Sequence, residues 1–149
     1  MFAGRFNHAL DPKGRTMVPK RFRARLDELG DKSVWITNAL GPYNHLDVRP
    51  DSLFRAYQER VAAVPETPLL IQYKRFYFGS AIEVELDAAG RLLIPAGFRA
   101  RCALTDRVSF VGLDGERFQL WNPEDLDADF ESIRRDPTAM LALLGELGV

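Results

Sequence analysis

Two stretches of the chain are near copies of each other. Residues 2–25 read FAGRFNHALDPKGRTMVPKRFRAR and residues 78–101 read FGSAIEVELDAAGRLLIPAGFRAR, and without a gap they share ten of 24 positions. Several shared residues have strong backbone or charge requirements: Asp11/Asp87, Gly14/Gly90, Arg15/Arg91 and Pro19/Pro95. A repeat of this kind constrains the architecture more than any local pattern does. The chain is therefore interpreted as a tandem duplication.

Two copies are too few for a stacked solenoid. Each half alone would hold about 70 residues, close to the size at which one hydrophobic core is marginal. We therefore predict two pseudo-symmetric halves that complete one another's core within a single domain. The predicted divisions are repeat 1 at residues 5–50, a helical connection at 51–80, repeat 2 at 81–124, and a C-terminal helix and tail at 125–149.

Composition excludes several classes of protein. With 46% apolar and 28% charged residues, the chain is typical of a soluble globular protein. No apolar run approaches the roughly 18 residues that span a bilayer, and the N-terminal residues belong to the repeat rather than to a signal peptide. The single cysteine, Cys102, fits a reducing compartment and is expected in the core. We therefore expect a cytoplasmic protein without a membrane partner.

Features of an enzyme are missing from the sequence. His8 and His45 cannot form a convincing metal site with one cysteine. Residues 112–115, Gly-Leu-Asp-Gly, lack the Lys-Ser/Thr of a phosphate-binding loop and fit a hairpin turn. We expect a protein that is not an enzyme and that has no cofactor, no metal and no small-molecule substrate.

The net charge of −1 conceals opposed ends. Residues 1–25 hold seven basic side chains and one acid, and residues 114–149 hold nine acids and three bases. This distribution indicates a polyanion-binding face and a separate acidic region. A solvated helix face with an acidic tail would give the same totals, so the positions of the charges have to decide.

Local patterns predict the same order of elements in both halves. Strands are predicted at 6–10, 16–18, 33–38, 45–49, 81–86, 92–94, 107–111 and 117–121. Helices are predicted at 20–29, 51–64, 96–103 and from Asn122 onward, with a weakly amphipathic helix after Pro137. Residues 69–78 fit either a strand or a helix, and we favour the helix. Residues 65–68 are the predicted connection between the halves.

The chemistry concentrates in the D-x-x-G-R turn between the first two strands of each half. Asp11 and Asp87 are placed to accept backbone N–H groups, and Gly14 and Gly90 supply the positive φ that the reversal needs. The arginine after each glycine presents a planar fork of donors that suits phosphate oxygens or a guanine edge. A simple Asp–Arg salt bridge across each turn is the alternative, and we expect it to dominate in the second turn.

Basic residues surround the first turn in the sequence more than the second. The candidate DNA-binding residues are Arg5, Lys13, Arg15, Lys20, Arg21 and Arg91. Copy two has Ala89, Ala96 and Gly97 where copy one has Lys13, Lys20 and Arg21. We therefore expect the first turn to contact DNA, and Arg91 to serve stability or assembly.

The motifs resemble those of the MraZ family of bacterial transcriptional regulators, whose halves each resemble the AbrB-type DNA-binding domain. They are the N-terminal MFAGRFNHALDPKGR block, VPKRFR after it, LDAAGRLLIP at 86–95 and FQLW at 118–121. The resemblance covers about residues 1–130. It implies an α+β fold with a mainly β core: a swapped-hairpin AbrB-type β-barrel formed by two tandem pseudo-symmetric repeats, with peripheral helices.

The same resemblance implies a function. It implies binding to double-stranded DNA at short direct repeats upstream of a cell-division and cell-wall operon, and assembly into homo-oligomeric rings. A cytoplasmic, nucleoid-associated regulator is therefore expected. The alternative is an AbrB-type antitoxin, or another interaction module, whose acidic C-terminal region covers a partner. The internal duplication favours the regulator, because such antitoxins usually carry one copy of the motif.

Overall fold

The computed structural model describes residues 1–149 and contains eight strands and six helices. The first half comprises β1 (Arg5–Ala9), β2 (Arg15–Met17), α1 (Lys20–Leu29), β3 (Ser33–Asn38), β4 (Leu46–Pro50), α2 (Asp51–Ala62) and α3 (Pro68–Tyr77). The second half comprises β5 (Ile82–Glu85), β6 (Arg91–Leu93), α4 (Ala96–Arg101), β7 (Arg107–Gly112), β8 (Phe118–Trp121), α5 (Pro123–Arg135) and α6 (Thr138–Leu147). The predicted element order is confirmed, as is the α+β class.

The segment that fitted either a strand or a helix forms α3. The Thr67 hydroxyl caps it by accepting a hydrogen bond from the Leu70 N–H at 3.1 Å, and Pro68 occupies the first turn. A proline at that position costs no hydrogen bond because the first N–H groups of a helix have no partner within it. The cap therefore decides in favour of the helix.

Six strands form one antiparallel sheet in the order β1-β7-β8-β4-β3-β5. β1 of the first half pairs with β7 of the second, and β5 of the second half pairs with β3 of the first. β4 and β8 pair at the centre. When each strand is replaced by its counterpart in the other half, the order is unchanged if it is read from the opposite edge. The halves therefore interleave about a pseudo-two-fold axis.

The sheet does not close on itself. β1 and β5 each have one partner and form its two edges, while β2 and β6 pair with each other in a separate two-stranded sheet. β2 and β6 have three residues each, and neither forms a hydrogen-bonded ladder with an edge of the six-stranded sheet. Closure into a swapped-hairpin barrel stays a prediction.

Aromatic residues from both halves meet in one core. Phe22 of α1 lies 4.8 Å from Phe118 and 5.3 Å from Phe2 between ring centroids, and Phe110 lies 5.9 Å from Phe118. All four are essentially inaccessible to solvent. Neither half could bury this cluster alone, which confirms the prediction that the halves complete one another's core.

A buried polar network fixes α3 to the centre of the sheet. The Tyr77 hydroxyl donates to Asp47 Oδ2 at 2.7 Å and accepts from Arg49 Nε at 2.8 Å. Thr37 donates to the Tyr77 carbonyl, and Asn38 Nδ2 donates to the Phe76 carbonyl at 2.9 Å. Burial raises the pKa of Tyr77 above its ordinary value, so the phenol stays protonated and can donate.

Two further residues, Cys102 and His45, lie in the core. Cys102 is buried, and burial raises the pKa of its thiol to about 11. His45 is buried and stacks on Trp121 with ring centroids 4.0 Å apart. Gly112 ends β7 and begins the hairpin turn to β8, as the Gly-Leu-Asp-Gly pattern predicts.

Two glycines with positive φ provide a matched test of the turn geometry. At Gly14 (φ +91°), an added Cβ would lie 2.9 Å from the Ile94 carbonyl oxygen, whereas at Gly30 (φ +73°) it would meet nothing within 4 Å. We expect Gly30→Ala to cost about 1–2 kcal/mol for the left-handed backbone alone. Gly14→Ala should cost clearly more, because backbone atoms cannot move aside. Urea unfolding of both variants measures the difference, and equal losses would contradict the close approach.

Candidate nucleic-acid interface

β2 and β6 form a short antiparallel ribbon, with Arg15 opposite Leu93 and Met17 opposite Arg91. Alternate residues of a strand point to opposite faces. Thr16 and Leu92 point inward and are buried. The outward face, here called the ribbon face, consists of Arg15, Met17, Arg91 and Leu93.

Backbone hydrogen bonds extend the ribbon into the two turns. The Ile94 N–H donates to the Gly14 carbonyl at 2.8 Å, and the Val18 N–H donates to the Gly90 carbonyl at 3.1 Å. Each turn is therefore fixed by the strand of the other half. Arg15 and Arg91 are diagonal neighbours in this register, a relation that separates residues by roughly 7–8 Å and their Cβ atoms by somewhat less.

The two turns have the same hydrogen bonds. Asp11 Oδ1 accepts from the backbone N–H groups of Lys13 and Arg15, each at 2.9 Å, and Asp11 Oδ2 accepts from Arg15 Nε at 2.7 Å. In the second turn Asp87 accepts from Arg91 N at 2.8 Å and from Arg91 Nε at 2.7 Å. Gly14 and Gly90 have φ of +91° and +84°, so the predicted roles of aspartate and glycine agree with the geometry.

The Asp–Arg salt bridge is thus present in both turns. The Nε–Oδ2 distance is 2.7 Å in each, so the salt bridge itself does not distinguish the second turn from the first. The backbone N–H of Arg15 in the first turn, and that of Arg91 in the second, is the main cause that lowers the pKa of the aspartate below its ordinary value.

The salt bridge leaves part of each guanidinium available. Only Nε of Arg15 and of Arg91 is bonded within the protein, and neither pair of terminal nitrogens has a protein partner. The arginine side chains are 37% and 38% exposed. Each arginine is therefore held at Nε while its two-nitrogen edge faces solvent, which is the edge that binds phosphate or guanine in a bidentate manner.

The helix after each ribbon strand contacts the turn of the other half. Arg23 of α1 covers Gly90, where an added Cβ would lie 2.7 Å from Arg23 Cδ. Arg99 of α4 covers Gly14, and its Nε donates to the Ile94 carbonyl at 2.9 Å. Each helix therefore supports the turn of the other half.

This exchange corrects the expected position of Lys20. Lys20 lies in a groove with the second turn, residues 87–90. The other charged residues of the groove are the bases Arg23 and Lys32 and the acids Asp27, Asp31 and Glu85. The antiparallel register explains the position, because Lys20 follows the end of β2 that pairs with Arg91. The prediction that Lys20 surrounds Arg15 is wrong, and basic residues flank both ends of the ribbon.

The remaining candidate DNA-binding residues differ in whether they are free to contact a ligand. Lys13 and Arg21 are exposed, and neither side chain has a hydrogen-bond partner. Arg5 lies at the end of β1 that is remote from the turn, and its guanidinium donates to Asp127 Oδ1 at 2.5 Å and lies 5.7 Å from the Phe130 ring centroid. The structure therefore does not bring Arg5 to the ribbon face.

Sequence reasoning missed Met17 and Leu93, which lie between the two arginines and are exposed. The alternation in Arg-Thr-Met and Arg-Leu-Leu places each of them on the same face as an arginine. That signal was readable in each strand separately. The alternation within each strand does not show that the two strands pair with each other.

A ribbon with two oriented arginine edges is an arrangement typical of a nucleic-acid-binding protein, and comparison with known proteins specifies the class. Residues 1–68 and 77–139 match the family described as "MraZ protein, putative antitoxin-like". Curated relatives are named transcriptional regulator MraZ. The protein of Chromobacterium violaceum is 37% identical over 121 residues, which cover 80% of each chain. That of Clostridium acetobutylicum is 31% identical over 150 residues and the full length of both.

The chain belongs to the MraZ family. The relatives are named as transcriptional regulators and not as enzymes, which agrees with the expectation that this protein is not an enzyme. None of the helices combines the length and the apolar character that crossing a membrane requires.

Proposed function

We propose that the protein is a sequence-specific DNA-binding transcriptional regulator that contacts double-stranded DNA with the ribbon face. The observation that supports this most is the position of Arg15 and Arg91 on one exposed face, each held by an aspartate of its own turn. The major groove of B-DNA admits a two-stranded β-ribbon, and arginine edges pair with O6 and N7 of guanine. Both halves thus contribute to one reading element.

The exposed bases around the ribbon are assigned to phosphate contacts. Lys13 lies in the first turn, Lys20 beside the second, and Arg21 follows Lys20 on α1. Phosphate contacts position a protein on the duplex without reading sequence. Met17 and Leu93 supply apolar surface between the arginines, which suits contact with a thymine methyl group.

The operator and the assembly are proposed from the family resemblance. We infer that the protein acts on direct repeats upstream of its own cell-division and cell-wall operon, as a homo-oligomeric ring on the nucleoid in the cytoplasm. A ring presents the ribbon face repeatedly and so raises the effective concentration at successive repeats. In this proposal β2 and β6 complete the AbrB-type barrel by lying across the open side of the six-stranded sheet.

An antitoxin or interaction module is the second candidate, favoured by the antitoxin-like description of the family. Three acids of α5 are engaged within the chain: Asp127 pairs with Arg5, Glu124 pairs with Arg107 at 3.0 Å, and Glu131 pairs with Arg134 at 3.6 Å. That engagement leaves fewer acidic side chains to cover a basic partner. A toxin gene adjacent to this one would favour the second candidate, and a cell-division cluster would favour the regulator.

Both ribbon arginines should be required for operator binding. We expect Arg15→Ala and Arg91→Ala each to weaken binding to the protein's own upstream DNA by roughly 1–3 kcal/mol per bidentate contact. Gel shifts on operator and scrambled duplexes measure the effect. The matched control is Arg55→Ala on α2, whose Nε also bonds an aspartate four residues earlier, Asp51, at 3.0 Å.

The control shows what loss of an exposed Asp–Arg pair does by itself, since Arg55 lies on α2, which packs against β3 and β4. Unchanged operator affinity in Arg91→Ala, with the oligomer intact, would remove the second turn from the reading element. Unchanged affinity in both arginine variants would contradict the proposed function.

The salt dependence of binding tests whether Lys20 contacts a DNA phosphate. Each neutralised phosphate contributes a slope of about −0.9 in log K against log salt. We expect Lys20→Ala to reduce the magnitude of the slope by about 1 and to weaken operator and non-operator DNA alike. Filter binding over a range of salt concentrations measures this, with Lys74→Ala as the control, because Lys74 of α3 is already paired with Glu66. A salt-independent affinity of the unmodified protein would contradict DNA binding through phosphate contacts.

A further inference from the structure

α3 and α6 hold equivalent places in the two halves, since each follows the helix that closes its half. α3 is fixed to the sheet by Tyr77, whereas no residue of α6 is buried. The five large apolar side chains of α6 are all exposed: Met140, Leu141, Leu143, Leu144 and Leu147. α6 therefore lacks the partner surface that α3 has.

Four of these side chains lie on one side of α6. Met140, Leu143, Leu144 and Leu147 have the i, i+3, i+4, i+7 spacing of a helix face that packs on a neighbour, and we call them the α6 stripe. Contiguous exposed apolar surface marks an interaction site more often than scattered apolar residues do. The only charged residue of α6 is Glu146, beside the stripe.

A complementary surface lies on α3. An apolar groove, here called the α3 groove, is lined by Leu40, Leu69, Gln72, Tyr73 and Phe76. Its four α3 residues have the same i, i+3, i+4, i+7 spacing as the α6 stripe. Leu69 is 75% exposed and Leu40 is 68% exposed, so nothing in the chain covers the mouth of the groove.

The α6 helix of the same chain does not fill this groove. α3 is bonded to β3 and β4, on one side of the six-stranded sheet order. α5, which leads into α6, is bonded to β1 and β7 at the other side, through Arg5–Asp127 and Arg107–Glu124. No residue of α6 is buried, and Leu40 and Leu69 at the groove stay exposed, so α6 does not cover the groove of its own chain.

Charge indicates which molecule does fill the groove. Arg75 flanks the α3 groove and Glu146 flanks the α6 stripe, each one residue before the last residue of its set. Neither takes part in an ion pair within the chain, although Lys74 beside Arg75 does. An anionic lipid surface suits α6 poorly, since the helix has no basic residue to bind it.

We propose that the α6 stripe of one copy lies in the α3 groove of a second copy of this chain. Each copy donates one helix and accepts one, so the contact is heterologous and continues into a ring or a chain of subunits. The inference rests on the self-association proposed above and assigns its two surfaces. It is separate from the ribbon face, which carries the DNA contacts.

The test uses two complementary variants of the full chain. Leu143→Glu/Leu147→Glu disrupts the stripe and leaves the groove intact, and Leu40→Glu/Leu69→Glu does the opposite. Sedimentation velocity at micromolar concentration should show an oligomer for the unmodified protein and a monomer for each variant. An equimolar mixture of the two variants should show a dimer, because it retains one intact contact. Val64→Glu and Leu113→Glu, at other exposed apolar positions, are the controls and should remain oligomeric.

Other results would overturn the assignment. Loss of the oligomer in the stripe variant alone would indicate an α6–α6 pair, and intact oligomers in both variants would exclude the contact. A monomeric unmodified protein would remove the self-association itself. Arg75→Glu/Glu146→Arg should restore the association that either single change weakens. Binding of both variants to a duplex with one operator repeat separates a failure here from a failure of the proposed function, because that binding depends on the ribbon face.

Discussion

The pairing of β2 with β6 is the contact on which the arrangement of the site depends. Each strand has three residues and would be marginal alone. The bonds from Ile94 N–H to the Gly14 carbonyl and from Val18 N–H to the Gly90 carbonyl extend the ladder into both turns. They bring two arginines that are 76 residues apart in sequence onto one face. The exchanged strands of the large sheet and the common core hold the halves in the orientation that this pairing requires.

Local chemistry made the elements and turns predictable. It did not predict which elements pair with one another. Asp11 and Gly14 take the expected roles in the first turn, and the helix predicted at residues 20–29 forms at those residues. Lys20 was assigned to the wrong turn because sequence proximity to Arg15 was read as proximity in space. Which strand pairs with which is decided by contacts of large sequence separation, and these leave no local periodicity.

The duplication also explains where the halves differ. The turn geometry is preserved in both copies because its aspartate, glycine and arginine are all retained. α3 and α6 diverge instead: a tyrosine that bonds Asp47 and Arg49 fixes α3, and α6 has no equivalent side chain. One half therefore anchors its last helix to the sheet through Tyr77, and the other leaves its last helix exposed.

The two turns are proposed to act as one reading element on DNA. NMR of the Arg Nε–Hε signals tests this, recorded on arginine-labelled protein during titration with a duplex that carries one operator repeat. The signals of Arg15 and Arg91 should shift together with the same apparent affinity, while that of Arg55 should not move. A shift of Arg15 alone, or of neither ribbon arginine, would contradict it.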